Sequence, residues 1–91
     1  GIPSEAIRNF HRQILQKAIA ALDYQKMEDR DITGITLAID SKFLASIKKD
    51  ISDFQEQLAA KYSRGKKNAV YHLENALFKL TEGDQNVDSK S

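Results

Sequence analysis

The sequence predicts an α+β domain. Two stretches, residues 4–22 and 41–64, repeat their apolar residues at the three-to-four spacing of a helix, and the stretch between them, residues 32–39, alternates every second residue. All three fit within 91 residues, a length that allows one small domain.

In the first stretch Ile7, Phe10, Ile14, Ala18 and Leu22 form one stripe, and Leu15 and Ile19 widen it. Pro3 and Ser4 stand where a helix begins, and Glu5 suits the positive end of its dipole. A polar connector, residues 23–31, follows. In residues 32–39, Thr33, Ile35, Leu37 and Ile39 alternate with Gly34, Thr36 and Ala38, the mark of a half-buried strand. Asp40 and Ser41 then supply N-cap oxygens. Leu44, Ile47, Ile51, Phe54, Leu58 and Tyr62 stripe a second helix of roughly 35 Å that is expected to end near Gly65, a C′ residue. That stripe fits packing on a sheet better than a coiled coil, which needs more heptads.

Residues 68–82 are ambiguous. Val70, Leu73, Leu77 and Leu80 read as a helical stripe. As a strand, Tyr71, Leu73 and Leu77 would face away from His72, Glu74, Phe78 and Leu80. Periodicity alone favours the helix. The tail, residues 83–91, has one apolar residue in nine and is expected to be disordered. The domain is therefore expected to span residues 4–82, as a piece of a longer protein.

Composition excludes several functions. With 14 Lys+Arg against 13 Asp+Glu, a net charge of +1 gives no general pull toward nucleic acid or anionic membrane. The absence of cysteine removes disulfides, thiolate nucleophiles and Cys-ligated metal. No apolar run is long enough to cross a bilayer, and the expected location is cytoplasmic.

Local chemistry is sparse. His72 and Glu74 could make a general-base pair or half a metal site, but a plain surface pair is the stronger reading, because metal spacing is missing. Glu28, Asp29 and Asp31 lack the alternating pattern of a calcium loop. Lys61, Arg64, Lys66 and Lys67 cluster at a helix C-terminus, where the dipole favours cations. Phosphate contact is the weaker alternative. No catalytic, cofactor or metal residue is assigned.

Three runs in order carry a resemblance: FHRQIL (residues 10–15), DRDITGITLAID (residues 29–40) and VYHLENALFKLT (residues 70–81). Together they resemble the C-terminal domain, of unassigned function, in transcriptional regulators numerous in predatory and fibre-degrading bacteria. In that family the final run often carries a Pro where this chain has Lys79. Because Pro costs about 3 kcal/mol inside a helix but is tolerated in an edge strand, the resemblance implies that residues 68–81 form a strand.

The order becomes α-β-α-β: two long helices on a short sheet, with the sheet completed by a second copy or by the rest of the parent chain. Tyr71, Leu73, Phe78 and Leu80 are the candidate interface. Arg30, Thr36 and His72 are candidate ligand-binding or structural polar groups, and Arg30 matches an arginine of the family. The resemblance implies a non-catalytic regulatory or dimerisation domain, acting as a homodimer or docked on an N-terminal DNA-binding domain, with DNA touched only through that domain. A small-molecule sensor and a minor nucleic-acid contact are the alternatives. No cofactor is expected.

Overall fold

The computed structural model describes residues 1–81; the expected tail at residues 83–91 lies outside the described residues. The first helix, α1, spans Ser4–Tyr24. Pro3 occupies its N-cap, and the Pro3 carbonyl accepts the Ile7 N–H at 3.2 Å. Proline's fixed φ suits a helix start, and its missing N–H leaves no donor without a partner there.

At its other end α1 has no basic residue in its last turn. Arg30 compensates from outside the helix. After a 3₁₀ turn at Met27–Asp29 the chain doubles back, and the Arg30 guanidinium donates to the carbonyls of Gln25 at 3.1 Å and Leu22 at 3.4 Å. It thus places a cation on the negative end of the dipole and serves carbonyls that lack intrahelical partners. Arg30→Ala is therefore expected to weaken the last turn of α1 by about 0.5–1.5 kcal/mol. Amide exchange at Gln25, whose N–H bonds the Ala21 carbonyl at 3.0 Å, should quicken, while exchange near Ile14 should not change.

Asp40 caps the second helical region. Its carboxylate accepts the Lys42 N–H at 3.0 Å and its carbonyl accepts the Phe43 N–H at 3.0 Å, opening a 3₁₀ turn, Ser41–Phe43. This turn runs into α2, Leu44–Lys61. Tyr62, rather than the region of Gly65, closes the helix through its N–H to the Leu58 carbonyl at 3.2 Å. Gly65 lies beyond the end and does take a positive φ of 89°. No helix is long and apolar enough to cross a membrane among the described residues.

The α+β expectation fails. Among the described residues there is no strand and no sheet, so the α-β-α-β order and the sheet-completing second copy fall with it. A strand exists only by pairing, and no backbone group of residues 31–39 or 66–80 has a backbone hydrogen-bond partner among the described residues. Residues 68–81 are not the helix that their periodicity favours either. Their side chains tie them to both helices: Glu74 bonds His11 of α1, and Asn75 bonds Gln55 of α2 at 2.6 Å. The segment is thus bonded to the helices, and its backbone pairs with none of residues 32–39 among the described residues.

The two helices are held apart: α1 and α2 nowhere bring Cα atoms within 8 Å of one another. No described residue is buried. Ile14, Ala18, Ala21, Ile47 and Ile51 are half-buried along the two stripes, while Ile35 and Val70 stand 83% and 99% exposed. The radius of gyration is 16.7 Å, against about 12 Å for a compact chain of this length. The helices present their apolar faces, and the described residues leave them largely uncovered.

Candidate functional site

The most organised chemistry is a carboxylate between two imidazoles. Glu74 Oε2 lies 2.6 Å from His11 Nδ1, and Glu74 Oε1 lies 2.7 Å from His72 Nε2. Each neutral ring has one N–H to donate. The two rings can therefore serve the two oxygens as opposite tautomers, His11 through Nδ1–H and His72 through Nε2–H. The Phe10 ring meets both imidazoles edge-on, with centroids 5.4 Å from His11 and 5.9 Å from His72.

Phe10 and the two rings leave the Glu74 side chain 15% exposed. The carboxyl sits below its ordinary value of 4.5, chiefly through the hydrogen bond from His72. Partial burial pulls the other way, and the His11 hydrogen bond and the charges of both rings add to the lowering. The arrangement keeps a carboxylate ionised and oriented, with an N–H donor on each oxygen, and it clamps residues 72–74 to α1. No group of three or more His, Cys, Asp or Glu among the described residues could hold a metal ion. His72 and Glu74 form the pair that the sequence suggests. The sequence reading missed His11 as their partner, although a histidine set into the apolar stripe of α1 is a polar group that needs one.

The other candidate polar groups do not gather. Arg30 bonds the end of α1, His72 bonds Glu74, and Thr36 lies exposed in residues 31–39. Among the basic residues, Lys67 Nζ donates to the carbonyls of Ser63 at 2.7 Å and Gly65 at 3.3 Å, and Lys61 lies 5.3 Å from the centre of the Tyr62 ring.

The candidate interface residues divide. Tyr71 and Leu73 line an open groove with Leu58, Ala59 and Tyr62 of the α2 end, and Gln55 reaches its wall. Phe78 and Leu80 are exposed and outside it. Residues alternate in their attachments: His72 and Glu74 meet α1, whereas Tyr71 and Leu73 meet α2. The groove is apolar and aromatic, the chemistry of a protein contact surface.

Fold and site together describe a small helical module with an ionised carboxylate clamp and uncovered apolar faces. The family model described as Domain of unknown function (DUF4423) matches residues 1–80, and the chain belongs to that family. No curated protein and no solved structure matches it.

Proposed function

We propose that this chain is a non-catalytic regulatory or assembly domain of a cytoplasmic transcriptional regulator, which sets the spacing of DNA-reading modules and touches DNA only through them. The observation that carries the assembly role is the absence of any buried residue in the described chain. Two amphipathic helices and two apolar segments that leave every large hydrophobic side chain partly open have a structural reason to associate. The link to transcription comes from the resemblance of residues 10–15, 29–40 and 70–81 to regulator C-terminal domains. The sensor alternative has no support in the geometry, because Arg30, Thr36 and His72 share no hydrogen bond.

Fusing the chain to a monomeric half-site reader tests the role. Tethering two readers raises binding to a paired operator through effective concentration. Affinity for two half-sites should exceed that of the unfused reader by about 100-fold or more, with single half-site binding unchanged. Equal affinity for paired and single sites in the fusion would remove the spacing role.

A further inference from the structure

We propose that the open groove formed by Leu58 and Ala59 of α2 and by Tyr62 just beyond its end, with Tyr71 and Leu73, is one half of a two-fold contact with a second copy of this chain. The inference rests on the assembly reading above and names its partner.

The amount of open surface fits an occupant as large as a second copy. The chain exposes 8689 Å², whereas a compact monomer of 10.3 kDa exposes about 5,400 Å². Even with a full deduction for the residues beyond Thr81, the excess over a compact monomer of the described length is about 2,000 Å². Doubled across a two-fold axis, that excess is about 4,000 Å², within the span of obligate homodimers, whose interfaces resemble a domain core cut in half. A small peptide or a single loop would leave most of it open.

Charge permits self-contact. At a net charge of +1, two copies meet almost without net repulsion, and the groove walls carry uncharged side chains: leucines, an alanine and tyrosines. The groove is also set in place before any partner arrives. The Gln55–Asn75 hydrogen bond at 2.6 Å fixes residues 71–75 against α2, and the Glu74–His11 bond fixes the same residues against α1. A contact surface whose walls are already tied loses less freedom on association. The two tyrosines in its lining supply large rigid area with a polar tip, a residue type enriched at interfaces. In a two-fold contact each copy offers the same patch, so one groove per chain suffices.

Sedimentation equilibrium of the 91-residue chain, followed over a hundredfold range around 50 μM, tests this against Leu73→Glu and Tyr71→Ala. The expected result is twice the chain mass for the parent, with the dissociation constant raised at least 100-fold by Leu73→Glu and at least tenfold by Tyr71→Ala. Tyr71→Phe keeps the ring and should stay dimeric. Should Leu73→Glu prove unfolded by circular dichroism at every concentration, the milder pair at position 71 decides the matter. A helical chain at single-chain mass at the highest concentration would overturn the second copy. A dimer indifferent to both Tyr71→Ala and Leu73→Glu would overturn the groove as its seat. The operator assay separates the two readings: a groove-dependent dimer without operator gain supports this inference and removes the regulatory role.

Discussion

Thermal unfolding of this chain is expected to rise with protein concentration, by about 3–6 °C for each tenfold increase. A monomer with its own core would melt at the same temperature throughout. The reasoning starts from Ile14, Ala18, Ile47 and Ile51, the inner positions of the two helical stripes, which are only half-buried in the single chain. An isolated helix of 21 or 18 residues is marginal in water without a packed face. On the proposed two-fold contact, association adds to the burial that the helices already have in the single chain, and each tenfold in concentration contributes about 1.4 kcal/mol to the associated state. Circular dichroism melts from 1 to 100 μM measure the slope directly. A flat line would show that the helices persist without association.

The second large effect is expected at Glu74. Glu74→Ala removes the acceptor shared by His11 and His72 and so frees residues 72–74 from α1. The two imidazoles are about half exposed, so solvent screens each bond, and the combined loss is about 1–2 kcal/mol. Proton NMR should show both imidazoles moving toward free-histidine shifts, and nuclear Overhauser contacts between the Phe10 and His72 rings should weaken. Glu74→Gln keeps one carbonyl acceptor and should lose less.

The same carboxyl sets an acid dependence. Its native pKa lies below the ordinary value of 4.5, so the folded state binds its proton less readily than the unfolded chain does. The stabilisation is complete above the ordinary value and disappears as pH falls from there through the lower native value. Glu74→Gln should abolish that part of the acid sensitivity and leave stability near pH 7 with a constant offset.

The two helices were legible because helical order is local. The apolar stripes of α1 and α2, Pro3 at the first start and Asp40 at the second are all read within a few residues of where they act. Arg30 is legible as a candidate structural polar group, whereas its partners, carbonyls of Leu22 and Gln25, are not. The alternation in residues 32–39 signals a chain suited to pairing and says nothing about whether a neighbour arrives. The strand reading of residues 68–81 fails for a related reason: residues 71–74 do alternate, but their two faces address two helices. The site was half legible: His72 and Glu74 are two apart, whereas His11 is 63 positions from Glu74 and no local pattern joins them. Gln55 and Asn75 are a similar case, a polar pair recognised only in the folded chain.

The unpaired backbone between residues 66 and 80 has a consequence for the life of the protein in a cell. Proteases bind chain whose amide and carbonyl groups are free, and here they need no prior unfolding to find it. Val70, 99% exposed, stands in the middle of the vulnerable stretch. On the proposed assembly, a copy left uncovered is expected to be cut in this stretch sooner than one held in a complex, so supply of the partner would set how many copies last.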